Sequence, residues 1–215
     1  MKVVLFIPIK LNNERLPNKN ILPLNDKPMC QYLFDTVKGI DIIDEKYVYC
    51  SKNEIQKYMP NEIKLKLRNP KLDDFKTKGL EIIDSFVKEI DADIYVLAHV
   101  TQPFIKKESI IEALQKVKSG TYDSSFSAKE LRAYCWYNNK PINYKPNDIV
   151  RTQDLKPVLL ETGAFYIFTK EVFKKNGTRI GKKPYIKVVD DIEAIDIDTK
   201  EDYNFANYIA KYILK

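Results

Sequence analysis

Residues Val3–Ile9 read VVLFIPI, and Lys10–Asn20 that follow read KLNNERLPNKN. An unbroken apolar, β-branched run is what a strand covered on both faces requires; a half-exposed strand would alternate. The sequence then changes at once to three cations set among four asparagines, and asparagine tolerates the left-handed backbone of tight turns. In open α/β sheets, ligands gather beyond the carboxyl ends of the strands. Residues 10–20 are therefore the first candidate site: backbone amides with Lys10, Arg15 and Lys19 would make an anion nest. A solvated basic loop has the same composition. Neither GxxxxGK[ST] nor GxGxxG occurs, so neither nucleotide fingerprint applies.

Outward from this strand, strand-like and helix-like segments alternate. A helix is expected over Pro28–Val37, where Met29, Tyr32, Leu33 and Val37 share a face. Strands follow at Lys46–Cys50, Ile63–Leu67 and Asp93–Leu97, with helices near Asn53–Met59, Leu80–Ile90 and Ser109–Val117, the last capped at or near Ser109. Residues 122–157 turn to short β-like pieces rich in Tyr, Asn and Pro. Ala164–Phe168 and Tyr185–Val189 read as strands, Lys170–Lys175 as a short helix, and a final helix begins at Asp198 or Thr199 and runs to Leu214. The β-α-β-α order predicts a three-layer, Rossmann-like α/β domain over residues 1–215, its sheet mostly parallel, with a β-arm insertion near 122–157 over a site or a subunit interface.

Composition narrows the function. With 44% apolar and 31% charged residues the 215-residue chain reads as globular, and no apolar run approaches the ~18 residues of a membrane span. The net charge of +6 is scattered, which favours a small anionic ligand over nucleic acid or a membrane. Three cysteines without CxxC spacing and one histidine argue against structural zinc and for a reducing compartment. With no leader pattern at Val3–Ile9, the expected location is the cytoplasm.

Four segments, in order, resemble the CMP-sugar synthetases, the cytidylyltransferases that activate sialic-type acids and Kdo. IPIKLNNERLPNKNILPLNDK at 7–27 is similar to their opening I-P-A-R-x-x-S-[KT]-R-L-P-x-K-[NP]. Arg68-Asn69-Pro70 with Leu72 is similar to R-P-x-x-L, and RTQDLKPV with ETGAFYI at 151–167 to R-x-Q-D-L-P-P-V and N-G-A-I-Y-I. AIDIDTKED at 194–202 resembles S-I-D-I-D-T-x-x-D. The resemblance implies transfer of CMP from CTP to an acidic sugar with Mg²⁺, for surface-glycan synthesis, by a homodimer whose β-arm closes the partner's pocket. It implies a catalytic set of Lys19, Arg15 and Asp196. The nucleotide would be held by Lys10, Asn12, Asn13, Arg15, Lys19, Asn20 and Arg68, and the acceptor by His99, Gln102, Gln153 and Thr162. The metal would sit on Asp196 and Asp198.

The residues themselves leave alternatives. In an extended segment Asp196 and Asp198 point to one side, with Ile195 and Ile197 to the core. Two such carboxylates suit Mg²⁺, yet Asp198-x-x-Glu201 is also a capping-box spacing. Glu14 would repel phosphates unless it turns outward or pairs with Arg15 or Lys19. His99, Thr101, Leu160 and Thr162 depart from the family pattern at the sugar end, so ordinary sialic acid is not the expected acceptor. A phosphonate or phosphorylated acceptor, and a non-catalytic nucleotide-binding role, are the competing expectations. Trp136, Tyr134 and Tyr137 read as arm packing or dimer contacts.

Overall fold

A computed structural model describes residues 1–214. Its elements run β1 (Val3–Ile9), β2 (Pro23–Leu24), β3 (Lys27–Pro28), α1 (Met29–Lys38), β4 (Glu45–Cys50), β5 (Lys64–Leu67), α2 (Gly79–Glu89), β6 (Ile94–Ala98), α3 (Lys107–Lys118), β7 (Ser124–Leu131), β8 (Trp136–Tyr137), β9 (Lys140–Pro141), β10 (Val158–Thr169), α4 (Lys170–Asn176), β11 (Pro184–Val188) and α5 (Lys200–Tyr212). Seven strands make one sheet in the order β11-β7-β10-β6-β1-β4-β5. Every pairing is parallel except those of β10, which runs antiparallel to both β6 and β7.

The apolar run of β1 has the predicted cause. Val3, Leu5, Ile7 and Ile9 join a core shared with α1, α3 and α5, whereas Val4 and Phe6 join one shared with α2 and α4. Phe6 stacks on Phe86 of α2 at 4.2 Å, and cutting such a buried ring to alanine costs about 3–5 kcal/mol. The chain leaves β1 for β4 and β5 on one side and returns to β6 on the other, so the topological switch lies at β1/β6. The loops beyond these two strands are where such a sheet accepts a ligand.

Several elements differ from expectation. Asn53–Tyr58 forms 3-10 turns, since only Ile55 is buried there and no apolar stripe supports an α-helix. α3 begins before Ser109, whose hydroxyl donates to Glu193 instead of capping. The arm is narrower than 122–157: Ser124–Leu131 belongs to the central sheet, and only residues 132–157 project as an irregular arm carrying the β8–β9 pair. No helix among the described residues is long and apolar enough to cross a membrane.

Candidate active site at the switch point

The loop after β1 is shaped by three anchors. Leu16 is buried, Asn18 takes the left-handed conformation at φ 55°, and the turn Lys19–Ile21 follows, with Lys19 N donating to Leu16 O at 3.1 Å. The buried Asn20 amide then donates to Lys10 O at 2.8 Å, tying the loop's two ends together. Asn20 thus shapes the loop from within.

This closure aims the loop cations at the segment before α5. Lys19 Nζ donates to Asp198 Oδ1 at 2.7 Å and to Ile197 O at 3.0 Å. Arg15 Nη2 pairs with the other oxygen, Oδ2, at 2.7 Å. Glu14 is exposed, and both cations turn to Asp198 rather than to it. The helix cap sits one residue beyond the expected box: Thr199 and Asp202 cap each other, which leaves the Asp198 side chain free of capping. Burial pushes the Asp198 carboxyl up, but the hydrogen bonds and charges of Lys19 and Arg15 outweigh it and hold the group below its ordinary value. Asp196 moves the other way. It is solvent-open, so its crowding is partial, yet crowding and the nearby Asp198 charge raise it against the Thr101 hydroxyl and Lys19.

The acid segment is itself clamped. Ile197 N donates to Thr101 O at 2.9 Å. The buried Glu193 carboxylate accepts from Lys106 N at 3.0 Å and Ser109 Oγ at 2.7 Å, locking residues 190–197 to the start of α3. Glu193 carried no signal in the sequence beyond its charge. Among the described residues no group of three or more His, Cys, Asp or Glu side chains converges as a metal cage. A Mg²⁺ site here would rest on two carboxylates and ligand oxygens.

On the far side of the loop, Lys10 donates to Asp73 O at 3.1 Å and lies over the Phe75 ring, 4.1 Å from its centroid. Arg68 is almost wholly covered. It donates to Asp73 Oδ1 from Nη2 at 2.6 Å and to Tyr49 O from Nη1 at 3.3 Å, so its charge fixes the 69–74 turn rather than standing free for a ligand. Asn12, Pro70, Lys71, Asp73, Asp74 and Phe75 line a cavity of about 580 Å³ here. Asn13 is half-buried, with its side-chain oxygen unpartnered. A larger groove of about 700 Å³ runs between α2 and α4 and touches none of these groups.

The third cluster forms where β10 meets the end of β6. Gly163 has φ +84° and lies in the register shift of β10 between Glu161 and Tyr166. A side-chain-bearing residue would be strained there. The shift turns two carbonyls towards β6: Gln102 donates from Nε2 to Thr162 O at 2.6 Å, and His99 Nδ1 meets Gly163 O at 2.6 Å. Burial brings the His99 ring down to about 4, against the opposing pull of the Gly163 carbonyl. The neutral imidazole must therefore donate from Nδ1, which leaves Nε2 as an acceptor. Thr162 Oγ1 is spent on Ser127. Gln153 stands apart, exposed on the arm in the turn Thr152–Asp154.

A family model described as cytidylyltransferase matches residues 4–207. The N-acylneuraminate cytidylyltransferase of Streptococcus agalactiae serotype V is 26% identical over 214 residues, covering 94% of this chain and 52% of that protein. The chain thus spans about half the length of such relatives. The pseudaminic acid cytidylyltransferase of Campylobacter jejuni is 24% identical, covering 98% of this chain and 97% of its own length. Among solved structures, the fold is similar to a CMP:2-keto-3-deoxy-manno-octonic acid synthetase complexed with CTP, at a TM-score of 0.74, 15% identity and 98% coverage of both chains.

Proposed function

This chain belongs to the cytidylyltransferase family, and we propose that it transfers CMP from CTP to an acidic sugar of the nonulosonic or related type, releasing pyrophosphate. The observation that carries the reading is the meeting of Lys19 and Arg15 on Asp198, two residues from Asp196, at the carboxyl end of β1. These cations are already aimed at one point and are balanced by a single carboxylate, so a triphosphate can draw them off it.

In this reaction the acceptor hydroxyl attacks the α-phosphorus in line. The new O–P bond forms as the bond to the β-phosphate bridging oxygen breaks. The protein's part is mainly positioning and neutralisation of spreading charge. Lys19 and Arg15 take the charge of the departing pyrophosphate, and Lys10 lines the approach. Neutral His99 orients the acceptor hydroxyl through Nε2; a ring of such low basicity holds that hydroxyl without keeping its proton, which passes to solvent water as the O–P bond forms. Mg²⁺ fits the donor set of Asp196 and Asp198, since it is commonly held by one or two carboxylates plus phosphates and water. When bound, it would neutralise and orient the triphosphate. We assign the exposed Tyr134, Trp136, Tyr137 and Ile142 of the arm to a homodimer contact over the neighbouring cleft, and surface-glycan synthesis as the setting.

The test is pyrophosphate release from CTP and Mg²⁺ with N-acetylneuraminic acid, pseudaminic acid or 2-keto-3-deoxy-manno-octonic acid. Turnover with at least one, absent with UTP, is expected. Turnover only with a phosphonate or phosphorylated acceptor would overturn the acceptor class. Tight CTP binding without turnover on any acceptor would overturn the enzymatic reading.

A further inference from the structure

Arg179, in the loop between α4 and β11, lays its guanidinium over the Tyr166 ring, 3.5 Å from the centroid. The side chain is only 27% exposed, so it is pinned rather than waving in solvent. Its one hydrogen bond runs from Nη2 to Glu161 Oε1 at 3.4 Å, and that same oxygen already accepts the Tyr166 hydroxyl. A guanidinium has five N–H groups. Here the Nε and Nη1 donors meet no acceptor among the described residues, while the ring fixes the plane in which they point.

The same ring borders the third cluster of the site. Tyr166 stands edge-on to His99, with centroids 6.1 Å apart, and its hydroxyl lies 3.8 Å from where a side chain on Gly163 would begin. The charges of Arg179 and Lys19 both act on His99, which therefore lies within the fields of the phosphate-side cation and of Arg179. A molecule whose hydroxyl rests on His99 can extend to an oriented guanidinium whose Nη2, shared by both of its two-donor edges, is held only by the long contact to Glu161.

We propose that Arg179 is the recognition site for a carboxylate on the acceptor, bound in bidentate fashion while His99 Nε2 accepts from a hydroxyl of the same molecule. A planar two-oxygen anion matches the fork. Glu161 beside it balances the local charge, which favours a monoanion over a phosphate dianion. The existing single contact to Glu161 is long, and two short charge-assisted bonds to the ligand replace it. The proposal rests on the cytidylyl-transfer reading for its acceptor but not for its cation.

The test compares wild type, Arg179→Gln and Arg179→Lys with CTP and the same three sugar acids, reading KM for acid and for CTP separately, together with thermal stabilisation by each acid. With whichever acid is used, Arg179→Gln is expected to raise the acid KM at least about tenfold, roughly the loss of one charge-assisted contact. The KM for CTP stays within about twofold by the same reasoning, since no nucleotide contact changes. Arg179→Lys keeps the charge, loses the fork and falls between. An unchanged acid KM in Arg179→Gln, or an equal rise for CTP, would overturn the assignment. Stabilisation of wild type by CTP but by none of the three acids would overturn the carboxylate site and leave cytidylyl transfer standing. Stabilisation by an acid that Arg179→Gln loses, with no response to CTP, would keep the site and overturn the reaction.

Discussion

The two ends of the proposed site hold their polar groups in opposite ways. At the proposed phosphate end, charge is set against charge: Lys19 and Arg15 share Asp198, and Lys10 rests on a carbonyl and a ring. A ligand there must displace partners the protein supplies, and its own charge rewards the exchange. At the proposed acceptor end, His99 and Gln102 are neutral and anchored on the backbone carbonyls of Gly163 and Thr162. A ligand there would be selected by shape and hydrogen-bond direction, with one oriented cation beside them. If the proposed reading holds, the contrast makes binding at the first end salt-sensitive and tolerant of the partner's outline, and leaves specificity to the second end.

Removing a charge from the phosphate end gives the largest expected effect. Asp196→Asn should lower turnover on the order of 10³-fold, the scale of several kcal/mol of lost charge stabilisation. Because Asp196 is solvent-open, the melting temperature should stay close to wild type; turnover near wild type would break the distinction at its strongest point. Lys19→Ala should cost roughly 10²-fold or more in turnover. It should also lower stability by about 1–2 kcal/mol, because Asp198 and the Ile197 carbonyl lose a mostly buried donor.

Acidity probes the other end. His99 is brought to about 4 in the fold, below its ordinary 6.5, so the unfolded chain binds the extra proton first. The native state is favoured fully above pH 6.5 and loses up to about 2–3 kcal/mol as pH falls from 6.5 to 4. Denaturant melts of wild type and His99→Gln across that window check this, since the variant should lack the loss. Salt gives the smallest effect that still separates the ends. Raising it from 50 to 500 mM should weaken CTP binding several-fold more than sugar-acid binding, because screening acts chiefly on the more exposed charges. Equal weakening would argue against the contrast.

How far the sequence exposes this design depends on the kind of signal each residue leaves. β1 and its loop are legible because seven apolar residues in a row followed by three cations admit few structures. β10 begins at Val158, six residues before the expected Ala164, because its first residues lie beyond the Gly163 shift. There Leu159 and Leu160 are exposed and break the strand pattern. The Asp198 box misleads by one residue because Asp, Thr and Glu crowd that turn, and only the backbone shows that Thr199 holds the cap. Arg179 is invisible in NGTRIGKK, since nothing in a basic loop says that one of its cations lies on a tyrosine two strands away. Arg68 was legible as a motif, but its burial against Asp73 depends on the 69–74 turn that it helps to build.

If the loop after β1 and the Asp196–Asp198 segment form one CTP site, nucleotide-dependent thermal stabilisation reads out both parts together. CTP, UTP, ATP and GTP would each be added, with and without Mg²⁺, to wild type and Asp196→Asn. At 100 times its dissociation constant a ligand adds about 2.7 kcal/mol, or about 5–10 °C at this chain length. Such a shift is expected for CTP alone, enlarged by Mg²⁺ in wild type and not in Asp196→Asn. Equal shifts for all four nucleotides, or none for CTP, would contradict it.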